Sequence, residues 1–192
     1  GGLGVKYTQS DNPPSTYEIA NLIINKLNEV VERYNIALPT LYIEPGRSII
    51  STAGVTLYTV GSSKQVPHGT KYIALDGGMA DNPRPSMYQA QYCAQVANKK
   101  DETNEQKVTL AGRFCESGDI LIKDIVLPKL CAGDILCVFN TGAYNYSMAS
   151  NYNRVQKPAM VLVNNSYSDI IVNRETLEDL VAHDIIPDRL KI

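Results

Sequence analysis

Hydrophobic residues in the first fifty positions follow a helical period and then a short β-prone run. Ser15 and Glu18 follow two prolines with the spacing of a helix capping box. Apolar residues then recur with helical spacing, at Ile19, Leu22, Ile23, Leu27, Val30, Val31 and Tyr34. This pattern predicts an amphipathic helix over residues 17–34. The run at residues 40–43 predicts a strand that ends in a turn at residues 44–46.

From about residue 49 the pattern changes to short β-prone runs separated by Gly, Pro, Asn and Asp. These runs occupy residues 55–60, 71–75, 108–111, 120–122, 135–139, 159–163 and 169–172. Such punctuation predicts a small antiparallel barrel or sandwich. Helical segments are expected around residues 144–151 and 175–183. We therefore predict two domains, residues 1–49 and residues 50–192.

Composition excludes several classes of function. A net charge of −2 and a pI of about 5.7 give no electrostatic reason to expect a nucleic-acid partner. The sequence has neither an apolar run long enough to span a membrane nor the pattern of a signal peptide, so we expect a cytoplasmic protein without a membrane partner. The four cysteines form no C-x-x-C pair and there are two histidines, which predicts free thiols and no metal site.

Residues 111–119, Ala-Gly-Arg-Phe-Cys-Glu-Ser-Gly-Asp, are the strongest candidate for chemistry. They place the thiol of Cys115 beside the carboxylate of Glu116. A thiol suits proton donation near neutral pH, because the pKa of free cysteine is about 8.5. Taken alone, a free cysteine is more often a small buried hydrophobe, and both interpretations stay open on this motif.

Two further loops carry candidate ligands. The glycines at positions 1 and 2 allow backbone N–H groups to approach a phosphate, although a glycine pair is more often an ordinary turn. Glu44 lies at the end of the predicted strand and needs a cationic or protonated partner. That partner is either a bound ligand or Arg47 in the same turn.

Taken together, these motifs resemble those of the diaminopimelate decarboxylases, a family of fold-type III pyridoxal-phosphate enzymes. The shared motifs are Glu-Pro-Gly-Arg at 44–47, Asp-Gly-Gly-Met-Ala-Asp-Asn-Pro-Arg-Pro at 76–85 with Tyr88, Cys-Glu-Ser-Gly-Asp at 115–119 and Gly-Ala-Tyr at 142–144. The resemblance extends from Gly1 to about residue 163. It implies an α+β, mostly β chain, in which the last β/α unit of a TIM barrel precedes an antiparallel β-barrel like the C-terminal domain of alanine racemase.

The resemblance implies a site for pyridoxal 5'-phosphate. Glu44 would face the pyridine nitrogen, and Tyr144 would approach both cofactor and substrate. The phosphate end would lie against a glycine-rich backbone and its neighbours, namely Gly1, Gly2, Pro45, Gly46 and Arg47.

The resemblance also implies decarboxylation of meso-2,6-diaminopimelate to L-lysine in lysine biosynthesis. The substrate residues that it implies are Arg47, Arg84, Tyr88, Glu116 and Tyr144. The two arginines would hold the distal carboxylate, for which guanidinium groups are well suited. Glu116 would bind the distal ammonium, and Cys115 would return a proton to the carbon that loses carbon dioxide. In the family, Cys115 and Glu116 reach across a homodimer interface.

The chain also departs from the family. Arg113 stands where many relatives have proline. The chain begins at Gly1 without Met, and the lysine that carries the cofactor lies in the preceding barrel half, so we expect a C-terminal part that is inactive by itself. Without that barrel, the helix at residues 17–34 should expose its apolar stripe or pack on a second copy. The alternatives are an arginine, ornithine or carboxynorspermidine decarboxylase, or a non-catalytic dimerisation or regulatory relative.

Overall fold

The computed structural model describes residues 1–99 and 104–191 of the chain. Its helices are α1 Thr16–Tyr34, α2 Arg47–Ile50, α3 Arg84–Tyr88 and α4 Leu177–Val181. Its strands are β1 Val55–Gln65, β2 Lys71–Leu75, β3 Ala94–Val96, β4 Glu105–Ala111, β5 Ile120–Pro128, β6 Ile135–Phe139, β7 Met160–Asn164 and β8 Tyr167–Val172. No described helix is both long enough and apolar enough to cross a membrane.

Helix α1 forms as its capping signals predict. The Ser15 hydroxyl accepts a hydrogen bond from the Glu18 backbone N–H, and a Glu18 carboxylate oxygen accepts one from the Ser15 N–H at 2.7 Å. The helix ends at Asn35, whose φ of 48° is left-handed. None of its residues is buried, and Leu22 is 68% exposed, so the apolar stripe lacks cover within the described chain. The stripe is therefore exposed within one chain, and the alternative that it packs on a second copy stays a prediction.

The prediction of a strand at residues 40–43 is wrong. These residues belong to no strand, and Leu41, Tyr42 and Ile43 are all at least half exposed. A β-prone run becomes a strand only when a neighbouring strand accepts and donates its backbone hydrogen bonds. No described strand lies beside this run. The assignment of residues 1–49 to a TIM barrel therefore stays a prediction.

The remaining strands confirm the predicted β-barrel. Six of them form one sheet in the order β3-β6-β1-β2-β4-β5, and the edge strands β3 and β5 come into contact, which nearly closes the barrel. Strands β7 and β8 form a separate antiparallel hairpin. All pairs within the large sheet are antiparallel except β2 and β4, which run parallel with Ile73 opposite Leu110. The strictly antiparallel expectation is wrong at this pair, because the chain between β2 and β4 is long enough for a crossover.

The core lies inside the barrel. Its most completely buried side chains are Ile73, Val108, Leu110, Leu136 and Val138. Leu136 and Val138 alternate with less buried residues along β6, as expected for a strand with one face toward a core. Along β4, Thr109 between Val108 and Leu110 is buried as well, so both faces of that strand are covered there. Hydrophobic burial therefore holds the sheet together independently of α1.

Two short elements that matter for the site follow from no pattern in the sequence. Helix α3 follows Pro83 and carries Arg84 and Tyr88 at its ends. Strand β3 is only three residues long and pairs with β6. In contrast, the predicted helical segments are confirmed by the 3-10 turn at Tyr146–Met148 and by α4.

Candidate active site

Residues from three separate parts of the chain surround one small cavity of about 230 Å³, which we call the N-terminal cavity. It is lined by Gly1, Gly2, Leu3, Glu44, Gly46, Arg47 and Tyr144. A side chain on either of two of these glycines would crowd a neighbouring atom. A Cβ on Gly46 would lie 2.9 Å from the Tyr144 hydroxyl oxygen, and one on Gly1 would lie 3.1 Å from the Glu44 carbonyl oxygen. The structure thus brings together every predicted cofactor residue except Pro45.

Arg47 begins α2 and lines both the N-terminal cavity and its neighbour. Its Nε atom is buried and lacks a hydrogen-bond partner among the described residues. A buried N–H without an acceptor is costly, so such a group is commonly satisfied by a ligand or a water molecule. Arg47 forms no ion pair with Glu44 within the described chain, so the simple turn pairing is not the arrangement observed.

A second and wider cavity of about 690 Å³ adjoins Arg47, and we call it the arginine cavity. It is lined by Tyr7, Asp11, Arg47, Arg84, Tyr88, Gln89, Ala90 and Gln91. The Arg84 guanidinium carbon lies 5.7 Å from the ring centroid of Tyr144, 5.8 Å from that of Tyr7 and 5.9 Å from that of Tyr88. Cation–π contacts of this kind hold a guanidinium without consuming its hydrogen-bond donors. The predicted substrate residues Arg47, Arg84, Tyr88 and Tyr144 therefore meet.

The Tyr144 loop is locked to the turn that follows α2. The Thr141 N–H donates to the Gly54 carbonyl at 2.9 Å, and the Gly142 N–H donates to the Ser51 carbonyl at 3.0 Å. The backbones approach so closely that a Cβ on Gly142 would lie 2.0 Å from a carbonyl oxygen of α2. Tyr144 itself has a φ of 64°, a conformation that is unfavourable for a bulky residue. These contacts place Tyr144 beside Arg47.

Asp119 organises the loop that carries Cys115. Its carboxylate accepts hydrogen bonds from the Met79 N–H at 2.7 Å and from the Phe114 N–H at 2.8 Å. A Cβ on Gly112 would lie 2.1 Å from this carboxylate, so a larger residue at that position would displace it. Burial raises the pKa of Asp119, and the two N–H donors oppose the shift. The loop is therefore preorganised by one buried carboxylate.

Asp81 performs a similar task on the neighbouring glycine turn. It accepts from the Gly78 N–H at 2.7 Å and from the hydroxyl of the buried Tyr58. Burial raises the pKa of Asp81, while the hydrogen bonds from Tyr58 and Gly78 lower it and the nearby charge of Asp119 raises it further. Asp81 and Asp119 together hold the segment between β2 and α3 against the Cys115 loop.

Cys115 and Glu116 form a separate group. Both are exposed, and neither lines the N-terminal cavity or the arginine cavity. Glu116 accepts hydrogen bonds from the Tyr152 hydroxyl at 3.4 Å and from the Gly118 N–H at 3.3 Å. The loop is tied to α3 through the Ser86 hydroxyl, which donates to the Gly118 carbonyl at 2.7 Å. Within one chain, the predicted site residues thus fall into two groups.

Sequence reasoning missed two aromatic residues at this site. Tyr7 lines the arginine cavity, and Tyr92 is 4% exposed beside it, with its hydroxyl accepting from Arg84 Nε at 3.0 Å. Neither lies in a recognisable motif, and the only available hint is the abundance of tyrosine, with 12 in the chain. Among the described residues, no cluster of three or more His, Cys, Asp or Glu side chains is arranged to hold a metal ion.

Comparison with known proteins shows to which family the chain belongs. A family profile described as the C-terminal sheet domain of pyridoxal-dependent decarboxylases matches residues 16–142. The chain belongs to this family. The match confirms the resemblance seen in the motifs, and the cofactor of the family is pyridoxal phosphate.

Two named relatives and one solved structure illustrate the similarity. The chain is 51% identical over 185 residues to diaminopimelate decarboxylase of Bacillus subtilis, covering 96% of this chain and 42% of the relative. It is 50% identical over 190 residues to that of Synechocystis, covering 99% and 40%. The crystal structure of diaminopimelate decarboxylase from M. jannaschii in co-complex with L-lysine superposes with a TM-score of 0.91 at 38% identity, over 99% of this chain and 43% of that one. The chain thus spans less than half the length of these proteins.

Proposed function

We propose that this chain is the C-terminal part of an enzyme that decarboxylates meso-2,6-diaminopimelate to L-lysine, with residues 1–49 completing a cofactor-binding barrel and residues 50–192 forming the β-domain. The observation that carries the proposal is the meeting of Arg47, Arg84 and Tyr88 beside a glycine-lined cavity. Two relatives that are named diaminopimelate decarboxylase are about half identical in sequence to this chain.

The N-terminal cavity suits the pyridoxal phosphate of the family. The backbone at Gly1, Gly2 and Gly46 carries no Cβ, and the Nε of Arg47 has no partner among the described residues; both features fit a phosphate group. Pro45 shapes the turn that presents Gly46, and the Glu44 carboxylate fits a protonated pyridine nitrogen. When bound, the cofactor supplies an electron sink for the charge left on carbon as carbon dioxide departs. Tyr144 lines the N-terminal cavity with Arg47, and its ring centroid lies 5.7 Å from the Arg84 guanidinium carbon, which supports a role in contacting both cofactor and substrate.

The arginine cavity suits the end of the substrate that does not react. Diaminopimelate carries a carboxylate and an ammonium group at each end, so recognition of the distal end selects substrate length and configuration. Arg84 and Arg47 provide positive charge, and the Tyr88 hydroxyl adds a donor. A hydrogen-bonded guanidinium–carboxylate contact contributes about 1.5–3 kcal/mol, which amounts to tenfold or greater discrimination.

Cys115 and Glu116 serve the site of a second subunit in a homodimer. Their exposure, and their absence from the cavities of their own chain, support this arrangement. Glu116 Oε1 and Oε2 bind the distal ammonium, and Cys115 Sγ delivers the proton that replaces carbon dioxide. The free cysteines suit a reducing compartment such as the cytoplasm.

A subunit-mixing experiment with the full-length protein tests both the activity and the sharing of sites. Cys115→Ala and Arg84→Ala should each abolish most turnover of meso-diaminopimelate. Mixing the two variants under exchange conditions should restore about a quarter of wild-type activity, because half of the dimers are mixed and one of their two sites is intact. No restoration contradicts the shared site. A wild-type enzyme that prefers arginine, ornithine or carboxynorspermidine, or that turns over none of the four substrates, contradicts the activity.

A further inference from the structure

Arg84 uses the two sides of its guanidinium group differently. Its Nε donates inward to the Tyr92 hydroxyl at 3.0 Å, while no described residue accepts from either of its terminal nitrogens. The aromatic rings of Tyr7, Tyr88 and Tyr144 surround the group without taking its hydrogen bonds. The hydrogen bond of the Nε–H group therefore defines the direction in which the two terminal nitrogens of Arg84 point.

Tyr92 is itself fixed from two directions. Its ring packs edge-on against Tyr7, with centroids 5.3 Å apart, and it is 4% exposed. Its hydroxyl donates to the side-chain oxygen of Asn145 at 3.4 Å, and Asn145 is 3% exposed and directly follows Tyr144. Burial raises the pKa of Tyr92, although the Arg84 charge opposes this. The phenol thus keeps its proton and can accept from Arg84 while it donates to Asn145.

We propose that Tyr92 is a positioning residue that sets the orientation of the Arg84 guanidinium and joins it, through Asn145, to the loop that presents Tyr144. This inference rests on the proposed function, in which Arg84 binds the distal carboxylate. It adds residues that touch neither cofactor nor substrate, yet determine how well the distal end is recognised.

Removing only the hydroxyl separates this role from packing. Tyr92→Phe retains the ring and its contact with Tyr7, but leaves Arg84 Nε and the Asn145 oxygen without their partner. Because the Asn145 Nδ2 atom already lacks a partner among the described residues, this amide has few alternative contacts that would hold it in place. The guanidinium is then free to rotate about its Cδ–Nε bond, and its terminal pair loses its fixed direction.

The measurement compares two ligands that differ only in the distal carboxylate. Decarboxylation removes one carboxylate of diaminopimelate, so the product L-lysine retains the other, whereas cadaverine has none. In full-length holoenzyme, Tyr92→Phe should raise the inhibition constant of L-lysine and the KM for meso-diaminopimelate about tenfold, the effect of one charge-assisted hydrogen bond. The inhibition constant of cadaverine should change less than about twofold, because cadaverine does not engage Arg84.

Tyr72→Phe is the matched control, since Tyr72 is a partly buried tyrosine on β2 outside this group. It should leave the ratio of the two inhibition constants unchanged. An unchanged ratio in Tyr92→Phe overturns the proposal even when the enzyme is fully active on diaminopimelate. An inactive wild-type enzyme instead contradicts the proposed function, so the two failures are distinguishable.

A double-mutant cycle gives a second, independent test. Tyr92→Phe should add less than about twofold to the lysine effect of Arg84→Lys, because the interaction is already lost in that background. Fully additive effects overturn the proposal. If Tyr92→Phe does not fold, Asn145→Ser retains Tyr92 and removes its acceptor; it should shift the same ratio in the same direction, and an unchanged ratio again overturns the proposal.

Discussion

The contact between Gly112 and Asp119 makes a sharp prediction about the Cys115 loop. In Gly112→Ala, the new Cβ would lie 2.1 Å and 2.3 Å from the two carboxylate oxygens of Asp119, far inside contact distance. The carboxylate must move, and it then loses its hydrogen bonds to the Met79 and Phe114 N–H groups. Each such bond to a charged group contributes about 1.5–3 kcal/mol, and partial retention is expected. We therefore expect the free energy of unfolding to fall by about 2–4 kcal/mol.

Gly118→Ala is the control, because it lies in the same loop and a Cβ there would meet nothing closer than 4.0 Å. Equilibrium urea unfolding of the full-length protein, with both variants measured beside wild type, gives the comparison. Gly118→Ala should stay within about 0.5 kcal/mol of wild type, as is usual for a surface substitution. If the two variants have equal stability, the Asp119 carboxylate does not lie against Gly112 and does not hold the loop as described. Gly112→Ala should also lower kcat, since Cys115 lies on the displaced loop.

The remaining predictions concern the cofactor cavity and the buried Asp81. Gly46→Ala would place a Cβ 2.9 Å from the Tyr144 hydroxyl, so the affinity for pyridoxal phosphate, titrated by fluorescence, should fall several-fold, whereas Gly61→Ala should leave it unchanged. The pKa of Asp81 is raised above its unfolded value of 3.8, so its stabilising contribution is full below pH 3.8 and is lost as pH rises through the folded pKa. Wild type should therefore gain stability relative to Asp81→Asn as the pH falls from about 7 to 4 in urea titrations, and a constant difference would contradict the burial argument.

Sequence patterns were sufficient to predict elements whose stabilising interactions join residues close together in the chain. The capping box of Ser15 and Glu18 and the apolar period that follows it place α1 correctly, because helical hydrogen bonds and capping bonds join residues a few positions apart. The β-prone runs between residues 55 and 139 likewise correspond to strands of the barrel, and the last two runs form the separate hairpin of β7 and β8. The run at residues 40–43 failed because its intrinsic preference needs a neighbouring strand that the described chain does not offer.

The site could be predicted only in part for a related reason. Short motifs identified Arg47, Arg84 and Tyr144, because the residue type and the flanking residues together indicate the role of each. Tyr7 and Tyr92 carry no motif, and their importance arises because folding brings both to Arg84, Tyr7 from a distant segment and Tyr92 from beyond the end of α3. No periodicity can indicate a contact of that kind.

Near neighbours and short motifs were enough to predict α1, most of the strands, the family and the residue types available for chemistry. Three further points became visible only in the folded chain: the parallel pairing of β2 with β4, the gathering of Arg47, Arg84 and Tyr144 around adjoining cavities, and the separation of Cys115 from them. Each depends on which distant segments pack together. Packing is set by burial over the whole barrel, which no single stretch of sequence encodes.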